Sequence, residues 1–173
     1  AAVSDLGEGP EIMEILGDAE IDAMLEISGE LLVRSDRESG AIATLMRGGV
    51  GLGIDVKAGG SLTLENIVVA EHELIFYSGT RELINVNGGS LVLGDGASVI
   101  NASGDGNRAS GGITVWNLGS ITMLSGSAVS NCCNYFVDQS NASSVGGGIL
   151  IDNGYGYFRG GKVSGCKAYR AAG

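Results

Sequence analysis

The sequence predicts an all-β solenoid, because four similar segments recur along the chain. They are residues 60–64 (GSLTL), 89–93 (GSLVL), 119–123 (GSITM) and, more loosely, 153–157 (NGYGY), at steps of 29, 30 and 34 residues. A unit of this size buries little apolar surface alone, whereas stacked copies share one continuous core. The repeat therefore favours a rod built from stacked coils.

Alternation within the four segments predicts that each is a β-strand with one apolar face. The inward positions are Leu62, Leu91, Ile121 and Tyr155 and, two residues on, Leu64, Leu93, Met123 and Tyr157. Composition agrees with short strands joined by tight turns, since the 173 residues include 31 Gly and one Pro without a Gly-X-Y period. A hydrophobic content of 44% against 17% charged residues indicates a folded chain.

The N-terminal part is interpreted as a cap followed by the first strand. Residues 1–19 form the cap segment, in which residues 10–16 fit either a helix over the open end or a strand. The first clear strand covers residues 20–27. Its apolar residues alternate and share one face: Ile21, Ala23, Leu25 and Ile27.

Two further sets of strands follow the same repeat. One set carries the pairs Ile54/Val56, Ile84/Val86, Ile113/Val115 and Ile149/Ile151, and the other carries Val99, Val129 and Val163. Together with the Gly-Ser-Leu series, they predict a right-handed parallel β-helix of about five coils with three strands per coil. We expect these repeats to fill residues 20–173 and to be a piece of a longer solenoid.

Cys132 and Cys166 occupy equivalent places in the repeat, within VSNC and VSGC. Strands in neighbouring coils lie ~4.8 Å apart, which a disulfide can bridge. The sequence leaves open a Cys132–Cys166 bridge or two reduced thiols stacked as small apolar residues. With three cysteines in the chain, at least one thiol is unpaired within it.

The net charge of −10 is distributed unevenly. Residues 1–40 hold eleven carboxylates against Arg34 and Arg37, while four basic residues and no acid follow from Arg159 onward. Without a basic stripe, the surface is a poor partner for nucleic acid. Opposite ends of opposite charge favour head-to-tail self-association, or the acids only keep an exposed end soluble. No apolar run is long enough to span a membrane, so we expect no membrane insertion within this chain.

The predicted outward positions show no catalytic or metal site. Outward columns such as Ser61, Ser90, Ser120 and Gly154, or Asp55, Asn85, Thr114 and Leu150, collect no pair of acids. His72, the single histidine, has no second ligand at metal spacing, and neither a phosphate loop nor a dinucleotide motif is present. We expect no cofactor and no metal. The loop acids Asp105 and Asp138 are left as residues that would have to converge in an enzyme.

One outward column is the candidate binding site. Lys57, Asn87, Trp116 and Asp152 should follow each other across the coils, which puts the single Trp beside a carboxylate. An exposed ring next to hydrogen-bonding groups suits a sugar face or a protein hot spot. Alternatively, Trp116 packs beneath the insertion at residues 131–145. That insertion, with Tyr135 and Asp138, is itself a candidate binding loop because insertions in solenoids often carry function.

Residues 59–67 (GGSLTLENI), 88–97 (GGSLVLGDGA) and 146–151 (GGGILI) resemble pectin-lyase-like right-handed β-helix proteins. More narrowly, they resemble bacterial cell-surface adhesins and polymorphic outer-membrane-protein repeats. The resemblance implies an extracellular, cell-surface or secreted protein, acting as a non-catalytic adhesin or stalk that binds a glycan or a host surface protein. A carbohydrate-active lyase or hydrolase fragment and a purely structural spacer remain the alternatives.

Overall fold

The computed structural model describes residues 10–38, 40–49, 53–71, 82–104, 109–135 and 145–169, and all of its regular elements are β-strands. In chain order they are β1 (Glu11–Ile15), β2 (Ala19–Ile21), β3 (Leu25–Ile27), β4 (Glu30–Ser35), β5 (Thr44–Arg47), β6 (Ile54–Val56), β7 (Ser61–Glu65), β8 (Val68–Glu71), β9 (Ile84–Asn87), β10 (Ser90–Leu93), β11 (Ser98–Ile100), β12 (Ser103–Gly104), β13 (Ile113–Trp116), β14 (Ser120–Met123), β15 (Ala128–Ser130), β16 (Cys133–Asn134), β17 (Ile149–Asp152), β18 (Tyr155–Phe158), β19 (Lys162–Ser164) and β20 (Lys167–Ala168).

The strands form four sheets in which every pairing is parallel. Sheet A has the order β1-β4-β7-β10-β14-β18, sheet B β2-β5-β8-β11-β15-β19, sheet C β3-β6-β9-β13-β17 and sheet D β12-β16-β20. The chain visits the sheets in turn and returns to each one beside its previous strand. Residues at one register position in successive strands therefore form a column. This all-parallel topology is consistent with a parallel β-helix.

The predicted alignment of the Gly-Ser-Leu series is confirmed for its first three copies. Leu62 pairs with Leu91, and Leu91 pairs with Ile121, within sheet A. Their side chains are fully buried and belong to one core with the Ile and Val columns of the other sheets. Alternate residues of each strand point inward, so the narrow interior is filled by stacked Leu, Ile and Val.

The short segments that connect each sheet C strand to the following sheet A strand, called corners here, contain residues with a left-handed backbone conformation. Gly59, Gly88, Leu118 and Asn153 all have positive φ, at 82°, 78°, 65° and 58°. A residue without Cβ adopts this region without strain, and Asn tolerates it, which explains the Gly-rich corners in the sequence. Leu118 is the exception, with a branched side chain in a conformation that favours glycine.

The fourth copy of the repeat is displaced by one residue from its predicted alignment. Tyr155 pairs with Ser120, and Tyr157 pairs with Thr122, so both tyrosines lie in outward columns where Gly154 and Gly156 were expected. Phe158 instead pairs with Met123 in the inward column. The predicted alignment would leave only Asn153 between β17 and the next strand, whereas the corner has two residues, as it does between β9 and β10. The outward register leaves the phenolic oxygens at the exposed surface.

Two other elements differ from the sequence prediction or complete it. Residues 10–16, ambiguous between helix and strand, form β1, which pairs with β4 at one end of sheet A. The single strand predicted over residues 20–27 is instead two strands, β2 and β3, in different sheets. Residues 22–24 between them are exposed, so Ala23 does not share the core face predicted for it.

Sheet D was not predicted, since strands of two residues leave no alternation to detect.

Candidate binding face

Trp116 lies where the sequence placed it, on the outward side of sheet C. Ile113 and Val115 of β13 are fully buried, so the alternating residues Thr114 and Trp116 point outward. Trp116 pairs with Asn87 on one side and with Asp152 on the other. Its side chain is 39% exposed. Residues 136–144 of the 131–145 insertion lie outside the described residues, so packing of Trp116 beneath that insertion stays an alternative.

The corner that follows Trp116 adds a polar group to the same column. Asn117 and Leu118 both have positive φ, which turns the chain sharply towards β14. The Asn117 side-chain Nδ2 donates a 2.7 Å hydrogen bond to Oδ1 of Asn87. The two amides therefore orient each other, and Asn87 is the register partner of Trp116 on the neighbouring strand.

A second outward column of sheet C brings two acids together, contrary to the sequence analysis. Glu26 pairs with Asp55 one strand away, a step that the predicted column omitted because it began at Asp55. Lys57 Nζ donates to Asp55 Oδ2 at 2.5 Å and lies 3.1 Å from Glu26 Oε1. Asn85 Nδ2 donates to the other oxygen of Asp55 at 3.1 Å. The sequence analysis missed this pair because it treated residues 20–27 as one strand. It therefore did not predict that β3 pairs with β6.

The acid pair is held as an ion-pair cluster. The hydrogen bond to Asp55, followed by that to Glu26, raises the pKa of Lys57 above its ordinary value. The ammonium group therefore stays protonated at neutral pH and cannot serve as a general base. One cation therefore faces two carboxylates in this cluster.

The other candidate residues lie elsewhere or outside the described part of the chain. Tyr135 follows β16 of sheet D, whereas Trp116 ends β13 of sheet C. The Tyr135 ring stacks on Tyr169 with 5.0 Å between centroids, and its hydroxyl oxygen lies 3.0 Å from the Cys133 sulfur, within hydrogen-bond distance. The hydrogen bond with Cys133, followed by partial burial, raises the pKa of Tyr135 to about 12. Asp138, together with Asp105 and His72, lies outside the described residues.

The three cysteines are free thiols in the structure. Cys132 follows β15 and Cys166 follows β19, two residues after the paired Ser130 and Ser164, so the two cysteines are in register as predicted. Burial and, to a smaller extent, the neighbouring Cys166 thiol raise the pKa of the Cys132 thiol to about 12. The neighbouring thiols are placed for oxidation to a bridge, and the Cys132–Cys166 disulfide stays a prediction.

Sheet B contains a buried ion pair that the sequence analysis did not find. Arg47 pairs in register with Glu71, and its Nη2 lies 2.7 Å from Glu71 Oε1. The other Glu71 oxygen accepts hydrogen bonds from the backbone N–H and hydroxyl of Ser103, at 2.7 and 2.6 Å. Both charged side chains are almost completely buried. The ion pair and the hydrogen bonds of both residues to Ser103 offset the cost of burying the two charges in inward columns.

The described residues show no group of three or more His, Cys, Asp or Glu side chains able to hold a metal ion. Within the same residues, no helix long and apolar enough to cross a membrane is found. Comparison of this chain with protein-family models, with curated proteins and with solved structures finds no match.

Proposed function

We propose that this chain is a right-handed parallel β-helix from an extracellular bacterial surface protein, and that it acts as a non-catalytic adhesin or stalk. The topology supports the rod, since five steps between neighbouring strands run along sheet A and each adds one parallel strand. Such a rod holds its outward sheets in fixed positions, where they meet a glycan or a host surface protein.

The exposed indole of Trp116 carries the binding part of this proposal. A tryptophan on a pleated strand, held between Asn87 and Asp152, offers a flat apolar surface next to amide and carboxylate groups. The C–H face of a pyranose packs on such a ring, while its hydroxyls donate to the carboxylate and amide oxygens. The backbone supplies the rigidity, because Trp116 has a paired strand on each side.

The charge of the outward columns of sheet C narrows the ligand class. Within the described cluster Glu26 and Asp55 share the one cation of Lys57, so a polyuronate would be repelled. Neutral sugars and amino sugars fit the same groups without this penalty. This charge pattern also weighs against an enzyme acting on acidic polysaccharides, since the protonated Lys57 supplies no base.

The test is a broad glycan array probed with the wild type, Trp116→Ala and Tyr155→Ala. Tyr155 is an exposed aromatic residue in sheet A and serves as the matched control. We expect hits among neutral or amino sugars that disappear with Trp116→Ala and persist with Tyr155→Ala. Hits that survive Trp116→Ala would refute this site. If none of the three proteins binds any glycan on the array, the structural spacer or a protein-binding adhesin would be favoured.

A further inference from the structure

Backbone hydrogen bonds on both sides hold Cys132 and Cys166 in register. The backbone N–H of Asn131 donates to the carbonyl oxygen of Ser164 at 3.0 Å, and that of Lys167 donates to the carbonyl oxygen of Cys132 at 2.9 Å. Neighbouring parallel strands lie ~4.8 Å apart, and the Cα atoms of bridged cysteines are usually ~4.4–6.8 Å apart. The backbone therefore holds the two cysteines at a separation that a disulfide spans.

The two thiols also have the same orientation. Each Sγ lies near the carbonyl oxygen two residues earlier, at 3.4 Å for Cys132 and 3.5 Å for Cys166. Each also lies 3.8 Å from the carbonyl oxygen of a valine in the preceding coil, which is Val99 for Cys132 and Val129 for Cys166. A thiol is a weak donor, so little is lost when these contacts give way to a bond between the two sulfur atoms.

A glycine stands beside each thiol. A Cβ added to Gly112 would lie 3.1 Å from Cys132 Sγ, and a Cβ added to Gly148 would lie 2.7 Å from Cys166 Sγ. A larger residue at either position would fill the space that the sulfur atom occupies. The interior at this level is therefore packed around the two cysteine side chains.

Cys133, the third thiol, lies outside this column. Its Sγ is 3.0 Å from the hydroxyl oxygen of Tyr135. Its register partners on the neighbouring strands are Ser103 and Lys167, neither of which carries sulfur. Of the three cysteines, all within the described residues, the register therefore brings together only the other two.

We propose that Cys132 and Cys166 form a disulfide that links two neighbouring coils, and that Cys133 stays a free thiol. The co-reactant is a low-molecular-weight disulfide, such as oxidised glutathione, in an oxidising environment. One cysteine thiolate attacks this disulfide, forms a mixed disulfide and releases the first small thiol. The other cysteine then attacks the cysteine sulfur of the mixed disulfide and releases the second. The two cysteines are oxidised, and their two hydrogen atoms leave on the two small thiols.

The bridge closes a covalent ring that runs from residue 132 to residue 166. The ring contains β16, β17, β18 and β19, and with them Asp152, the register partner of Trp116. Closing the ring restricts the unfolded chain, so the oxidised protein should unfold at a higher urea concentration than the reduced protein. The bridge depends on the register of two neighbouring coils and not on the proposed binding at Trp116.

Refolding from urea in a glutathione redox buffer, followed by labelling of free thiols and mass spectrometry, tests this pairing. The wild type is compared with Cys132→Ala, Cys166→Ala and the matched control Cys133→Ala. Alanine already occupies the same column in the preceding coil, at the fully buried Ala102, so the two column variants should fold. Urea unfolding of each reduced variant checks this.

We expect the wild type to retain one of its three free thiols and to lose the mass of two hydrogen atoms. Cys133→Ala should retain no free thiol, while Cys132→Ala and Cys166→Ala should each retain both of their remaining thiols. Oxidation should raise the urea midpoint of the wild type and of Cys133→Ala, and a reductant should reverse this shift. The two column variants should show no shift.

Three results would overturn the proposal. The first is a wild type that keeps all three thiols reactive after refolding in the redox buffer. The second is a bridge that persists in Cys132→Ala and is lost in Cys133→Ala, which would place it between the other two cysteines. The third is a bridge found only between two copies of the chain, which would show that the register does not bring the two sulfur atoms together.

Discussion

Met123 and Phe158 occupy one inward column on neighbouring strands, yet their surroundings differ completely. Met123 is 1% exposed because β10 and β18 cover it on both sides, while Phe158 in β18 is 56% exposed because the described stack ends there. Val129 and Val163 repeat the contrast in sheet B. An inward position in this fold is therefore buried only when strands are present above and below it.

The same contrast separates two ion pairs. Arg47 and Glu71 lie in the middle of sheet B, where both are buried and further held by Ser103. Glu14 and Arg34 lie at the N-terminal end of sheet A, joined at 2.7 Å but partly exposed. The two ion pairs have the same N–O distance, but the Arg47–Glu71 interaction is stronger. Water is excluded from that pair, whereas it screens the Glu14–Arg34 pair.

The largest expected effect is the loss of the buried pair. Glu71→Gln should lower the free energy of unfolding by ~3–5 kcal/mol, because it leaves the Arg47 charge buried without its counterion. Glu14→Gln, which breaks the exposed pair, should lower it by only ~0–1 kcal/mol. Urea unfolding of both variants measures the difference. Equal losses would show that burial does not separate the two pairs.

Replacing the side chains of the Met123–Phe158 column by Ala should show which strands are covered on both sides. Met123→Ala should lower the free energy of unfolding by ~2–5 kcal/mol, because it leaves a cavity between two covering strands. Phe158→Ala should change it by ~0.5 kcal/mol or less, since the ring is mostly exposed. A large loss from Phe158→Ala would contradict the exposed position of this ring.

A smaller effect is expected at the corner where Leu118 replaces glycine. Leu118→Gly should raise the free energy of unfolding by ~1 kcal/mol, because glycine adopts a positive φ without strain. The reverse change at the equivalent corner, Gly88→Leu, should lower it, since a Cβ there would lie 3.1 Å from the Cβ of Ala58. Thermal or urea unfolding measures both. Destabilisation by Leu118→Gly would show that the leucine side chain, not the backbone, governs this corner.

The smallest effect at neutral pH comes from the Cys132 thiol. Its pKa in the folded chain, about 12, is above the ordinary value of 9.0, so folding favours the protonated form. The stability that depends on this group is complete below about pH 9 and is lost as the pH rises towards about 12. The free energies of unfolding of the wild type and of Cys132→Ala, plotted against pH, should run parallel up to about pH 8 and diverge above it. Divergence that begins at acidic pH would contradict the assignment.

Much of the fold could be predicted because its signals are local. The alternation of Gly-Ser-Leu-Thr-Leu fixes which side chains point inward, and the repeat step fixes their partners, so Leu62, Leu91 and Ile121 align as predicted. The Trp116 column was predictable for the same reason. Where a local signal was ambiguous, the prediction was wrong: Tyr155 and Tyr157 alternate with glycine in either register, and only the length of the preceding corner selects one.

The sequence by itself determined the parallel strand columns, the uneven charge of the two ends and the outward position of Trp116. Each follows from side-chain alternation, repeat spacing or composition, which are properties of neighbouring residues. Only the tertiary structure decided that Glu26 meets Asp55, that Arg47 is buried against Glu71, and that Phe158 is exposed in a core column. These contacts join strands 24 to 35 residues apart, and their energies depend on the solvent that the surrounding strands admit or exclude.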